Sequence, residues 1–125
     1  VRVAFPRPTP AATAFFQALL PEHPEVRVKP MFGCQAAFAR EQMFLGTFGD
    51  EVFLRLPEDA RETLMELSGA RAFEPLPGRV MVEYVLLPRA FRDELERARP
   101  WVERSLEQAL AAPARARRSR AGRPR

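Results

Sequence analysis

The chain has no isoleucine and no asparagine, and its 125 residues include one lysine (Lys29), one cysteine (Cys34), one histidine (His23), one tyrosine (Tyr84) and one tryptophan (Trp101). A single cysteine excludes an internal disulfide, which fits a reducing compartment. One His and one Cys exclude a metal site built on two of either within the chain, and neither HExxH nor CxxC occurs. GxGxxG and the P-loop pattern are also missing, so no nucleotide-binding fingerprint is present. No apolar run reaches the roughly 18 residues of a membrane span. Pro6, Pro8 and Pro10 interrupt the N-terminus where a signal peptide would need a long apolar stretch, so a cytoplasmic location is expected. The missing Ile and Asn, with one Lys against nineteen Arg, suit GC-rich coding and equally suit life at high temperature.

What is present predicts one domain over residues 1–112 and a tail over 113–125. At this length a single core buries roughly two-thirds of the unfolded chain's surface. The net charge of +4 misleads about the domain. Six of the 20 basic residues (Arg115, Arg117, Arg118, Arg120, Arg123 and Arg125) lie in an acid-free tail, leaving 14 against 16 acidic residues elsewhere. That tail cannot bury apolar surface and is expected to be disordered. Its arginines are candidates for contacting nucleic-acid phosphates, although no aromatic residue interleaves them for base stacking.

From Gln35 to Leu56 apolar residues alternate with a period of two, broken at Arg40-Glu41 and Gly49-Asp50, which predicts consecutive antiparallel strands. A two-residue turn at Gly49-Asp50 pairs Thr47 with Val52, Leu45 with Leu54 and Met43 with Leu56 on a dry face. Phe38 and Ala36 are expected on that face too, whether the preceding turn is Arg40-Glu41 or Glu41-Gln42. The other face receives Phe44 with Arg55, Gly46 with Phe53, and Phe48 with Glu51. Phe44, Gly46 and Phe53 are therefore expected to meet a protein partner or a second copy of the chain, the alternative being a cover from a terminal helix.

The remaining elements follow from local signals. Thr9 caps a helix with Pro10 at its first position, and Ala12, Phe15, Phe16, Leu19 and Leu20 form its apolar stripe. Val26 to Lys29 alternates as a first strand. Pro57 opens a second helix whose first-turn Glu58 and Asp59 suit the helix dipole and whose end falls at Gly69. A short strand at 72–74 and a strong one over Val80–Leu87, apolar on both faces and hence central, complete the sheet. Asp93 with Glu96 resembles a capping box for a last helix, which Pro100 either kinks or divides. The fold class is α+β: an antiparallel sheet of five or six strands with helices mainly on one face.

Met31-Phe32-Gly33, Phe38, Met43-Phe44 and Glu51-Val52-Phe53-Leu54-Arg55, then Val82-Glu83-Tyr84-Val85, Pro88 and Pro100-Trp101-Val102, resemble the TfoX N-terminal domain family of bacteria. Where this chain has Arg40-Glu41 and Cys34, the family commonly has Asp-Gly and Gly. The resemblance implies an α+β interaction module tied to competence, where such proteins assist a transcription activator of the cyclic-AMP-receptor type. Longer members carry a second, C-terminal domain, for which this length leaves no room.

Enzyme chemistry finds little to stand on. Ser68 and Ser105 fall on predicted helices without a nucleophile elbow. A Cys34–His23 pair is the remaining nucleophile arrangement, and Glu58-Asp59-Glu62 already has a helix-dipole explanation. The reading is a non-enzymatic regulatory or protein-interaction module without metal or cofactor.

Overall fold

Two tight turns set the sheet. In the computed structural model, which describes residues 6–31 and 33–111, β1 (Val26–Met31), β2 (Cys34–Ala39), β3 (Gln42–Phe48) and β4 (Glu51–Arg55) follow one another as antiparallel hairpins. Gly49 takes φ 60° at the β3–β4 turn, as a two-residue hairpin loop requires. At the β2–β3 turn both central residues, Arg40 and Glu41, take positive φ (50° and 74°), a conformation that side chains other than Gly, Asn and Asp adopt at a cost.

Helix α1 (Pro10–Leu19) precedes the sheet, and α2 (Glu58–Met65) follows β4. Next come β5 (Arg71–Ala72), β6 (Tyr84–Leu86), a 3-10 turn at Arg89–Asp93, and α3 (Leu95–Ala111). The spatial order β1-β2-β3-β4-β6-β5 gives an open, fully antiparallel six-stranded sheet, the expected α+β class. Thr9 ties α1 to the sheet: its hydroxyl accepts the Ala12 N–H at 3.1 Å and donates to Asp50 Oδ1 at 2.6 Å. Its own N–H bonds Gly49 O at 3.1 Å.

The helices cover one face. Phe15, Phe16 and Leu19 of α1, Ala60 and Leu64 of α2, and Ala98, Val102, Leu106 and Ala109 of α3 pack with Leu45, Val52, Leu54, Leu56 and Val85 of the sheet. Burying each large side chain of this set stabilises the fold by about 1.5–3 kcal/mol before entropy is subtracted. Pro100 neither ends nor divides α3, which runs unbroken through it.

The expected face assignment fails at one point. Ala37 opposes Leu45 but Phe38 opposes Met43, so Phe44 has no partner across the ladder: a β-bulge. The extra residue puts Phe44 beside Leu45 under the helices, fully buried, and moves Met43 to the opposite face. Ala36 then faces Gly46, not Leu45, and Phe38 lies half-buried outside the helix-covered core. Ser105 of α3 donates its hydroxyl to the bulged Phe44 carbonyl at 3.0 Å. That bond satisfies a buried acceptor which the ladder has released.

Other boundaries also moved. The strand expected over 80–87 shrinks to Tyr84–Leu86, because the bond from Tyr84 N–H to Met81 O closes a turn around Val82-Glu83. Pro57 caps α2 rather than starting it, and Gly69 lies four residues past its end, at φ 92°. The expected capping box at Asp93 is replaced by the 3-10 turn.

Candidate functional site

The second face of the sheet is closed by the segment between β5 and β6. Phe73 stacks on Phe53 with ring centroids 4.5 Å apart, and Phe48 meets Phe73 edge-on at 5.0 Å. Tyr84 approaches Phe53 edge-on at 5.5 Å. Each such pair contributes about 0.5–1.5 kcal/mol beyond its buried area. Gly46 lies beneath: an added Cβ would fall 2.4 Å from Phe53 Cζ, so the far end of the ring occupies the space a side chain would need. The Tyr84 hydroxyl donates to Met43 O at 3.2 Å, and burial pushes its pKa up.

This arrangement corrects the expected interface. Phe44 and Phe53 lie on opposite faces, and Phe44, Gly46 and Phe53 are all buried within the chain. The bulge separates the first from the other two, and Phe73, from a stretch read as weak strand, covers Phe53. The arginines at 115, 117, 118, 120, 123 and 125 and the tail lie outside the described residues, as does Phe32 of the Met-Phe-Gly string.

The turn at Val82-Glu83 creates a cleft of about 450 Å³ between α2 and the approach to β6. Met65 and Arg61 form part of the α2 wall, with Val80, Val82 and Tyr84 opposite. Five large apolar side chains are exposed among the described residues, and three of them (Met65 43%, Val80 48%, Val82 68%) line this one cleft. Arg55 fixes the turn, reaching Glu83 Oε1 from Nε at 2.9 Å and Gln42 Oε1 from Nη1 at 2.7 Å. Glu58 and Glu62 border the cleft without an ion-pair partner among the described residues, while Arg61 donates to Leu56 O at 2.6 Å. Sequence reading missed this site because Val80 and Val82 alternate like strand residues. The signal was Glu83, a charge that breaks the run.

The far edge of the sheet, β1, offers few donors for another strand. In β1, Val26 N–H already bonds His23 O at 3.0 Å, and Pro30, at an outward-facing position opposite Gln35, has no N–H.

The sequence's chemical candidates are dispersed. His23 Nδ1 accepts the Glu25 N–H at 3.0 Å, and Cys34 Sγ, 2% exposed, donates to Pro6 O at 3.3 Å. Burial pushes the Cys34 thiol pKa up, although a hydrogen bond with Thr47 opposes this, so the thiolate is disfavoured. Lys29 lies 5.1 Å over the Phe38 ring. Ser105 is spent on the bulge, Ser68 lies in the turn after α2, and Asp59 pairs with Arg104 at 3.1 Å. No group of three His, Cys, Asp or Glu side chains among the described residues could hold a metal ion, and none of the described helices is long and apolar enough to cross a membrane.

These features define an open α+β domain with a helix-covered face, a loop-covered face and one apolar cleft at a sheet end. The sequence model of the TfoX N-terminal domain matches residues 18–109, and the chain belongs to that family. No curated protein matches the chain.

Proposed function

We propose that this chain is a regulatory module which binds a protein partner and carries out no reaction of its own, in the transcription and competence setting that its family resemblance implies. The cleft between α2 and Val80–Tyr84 supports this reading, since exposed Met65, Val80 and Val82 are gathered there. Exposed apolar groups gathered in one place mark interaction sites more often than single ones do. Glu58 and Glu62 at the rim favour a partner segment whose apolar side chains are flanked by Lys or Arg. The test is a photo-crosslinking residue at Val82 in the source cells, with the same residue at exposed Glu96 as control. A discrete adduct with another protein at Val82 alone is expected. No adduct, or the same adducts at both positions, would sink the reading, and an adduct of two copies of this chain would replace the partner by self-association.

A second reading rests on the acid-free tail with its six arginines. Here they contact nucleic-acid phosphates, and binding weakens steeply with salt. Changing all six to Gln in the full chain should abolish binding to a duplex DNA fragment in fluorescence anisotropy. Unchanged binding removes the tail from consideration.

A further inference from the structure

Glu51, the first residue of β4, is a charged side chain only 8% exposed. Two arginines from elements distant in sequence converge on it. Arg89 of the 3-10 turn grips Oε2 through Nε at 2.9 Å and through Nη2, and Arg71 of β5 brings Nη2 within 2.6 Å of Oε1. Arg89 also lies 3.4 Å from Asp50 Oδ2, and Arg92 closes the network on Asp50. Three guanidinium groups thus share two carboxylates, an excess of one positive charge.

The excess lies beside a cleft. A hollow of about 460 Å³ adjoins the pair, lined by Ser68, Gly69, Arg71, Pro88, Arg89 and Ala90: two arginines and no acid. The side chains of Arg71 and Arg89 stay 49% and 56% exposed although Glu51 anchors both. Arg71 uses Nε on Gly69 O at 3.4 Å and Nη2 on Glu51, so its Nη1 has no hydrogen-bond partner among the described residues, and neither has Ser68 Oγ. A carboxylate held beneath two guanidinium groups fixes their direction before any ligand arrives, which lowers the ordering cost of binding.

We propose that this hollow binds a phosphate group, with Arg71 and Arg89 supplying charge and Ser68 a hydroxyl donor. Arg71 Nη1 and the Ser68 hydroxyl are uncommitted donors from separate segments, and Arg89 adds charge beside them, a combination that suits a multiply charged phosphate better than a singly charged carboxylate. The phosphate comes either from a small phosphorylated molecule or from a nucleic-acid backbone. The inference does not depend on the partner cleft, which lies on α2 and the 80–85 segment.

The test uses the full chain labelled with nitrogen-15, titrated separately with inorganic phosphate and with a short DNA duplex at constant ionic strength. Saturable shifts at the amides of Ser68, Gly69, Arg71, Arg89 and Ala90 are expected with one probe or both. Response to phosphate alone assigns a small ligand, and response to the duplex assigns the backbone. Arg71→Gln should weaken binding by roughly tenfold or more. Ser68→Ala touches no ion pair, so it tests the site without endangering the fold, and it should also weaken binding. Silence of these amides with both probes, or unchanged affinity in both variants, overturns the proposal.

Discussion

The two faces of this sheet are closed by different means. On one, three helices bring a broad set of apolar side chains, Phe15 and Phe16 among them, onto Leu45, Leu54 and Val85. On the other, the β5–β6 segment brings Phe73 onto Phe53, with Met31, Met43, Met81 and Tyr84 around them. Helices supply area, so the first face is held by the summed burial of many residues. A short segment supplies little area, so the second depends on close ring contacts, on the space left by Gly46 and on the ion pairs of Glu51 at its end. The first face should therefore fail by degrees of volume, and the second by single contacts.

The largest effect tests the helical face. Leu54 is fully buried there, and Leu54→Ala should cost about 2–5 kcal/mol in urea denaturation, as large-to-small core changes do. A loss below about half a kcal/mol would mean the face is not the core. On the opposite face the sensitive change is an addition. Gly46→Ala sets a Cβ against the Phe53 ring and should cost about 1–3 kcal/mol through overpacking. Much of that cost should return in the Gly46→Ala/Phe53→Leu double variant, and strict additivity of the two changes would refute the contact. Between the faces, Ser105→Ala leaves the Phe44 carbonyl buried without its donor, at about 1–3 kcal/mol. Hydrogen exchange should then quicken around Met43–Leu45 ahead of the rest of β3; uniform acceleration would mean the hydroxyl does not hold the bulge.

The smallest effect is one of pH. Burial raises the Glu51 carboxyl, but hydrogen bonds from Arg89 and Arg71 outweigh it and leave the pKa below its ordinary 4.5. A carboxyl lowered in the folded state adds stability that is complete above its unfolded pKa and lost as pH falls through the folded one. The urea midpoint should thus drop as pH falls below about 4.5, and Glu51→Gln should flatten that slope. Equal slopes in both proteins would take Glu51 out of the acid response.

The helical face was largely legible in the sequence. The 3–4 spacing of Phe15, Phe16 and Leu19 and the pairs Leu45–Leu54 and Thr47–Val52 follow from local patterns and one turn, and the structure contains them. The second face was not, because its decisive contacts are non-local and leave no periodic trace. Phe73 sits in a stretch without alternation, and Arg71 and Arg89 are joined only by the fold around Glu51. The error at Phe44 was of another kind. Alternation assumes one residue per step on each strand, and a bulge without glycine gives no local warning of the extra one. The cleft escaped for the converse reason: Val80 and Val82 kept the alternation of a strand while the chain turned away from the sheet.

The unpaired Phe44 also gives β3 two reading frames. Before it, side chains at odd positions such as Met43 face the loop-covered side; after it, odd positions such as Leu45 and Thr47 face the helices. Deleting Phe44 would restore a single frame with Met43 still opposite Phe38 on the loop-covered side, but it would take a fully buried ring from the helical face and strip α3 of the carbonyl that Ser105 holds. A substitution at Phe44 changes what fills a space beneath the helices, whereas its deletion removes the occupant and the bulge together. The bulge thus lets β3 present two consecutive side chains, Phe44 and Leu45, to the same helices, which a regular strand cannot do.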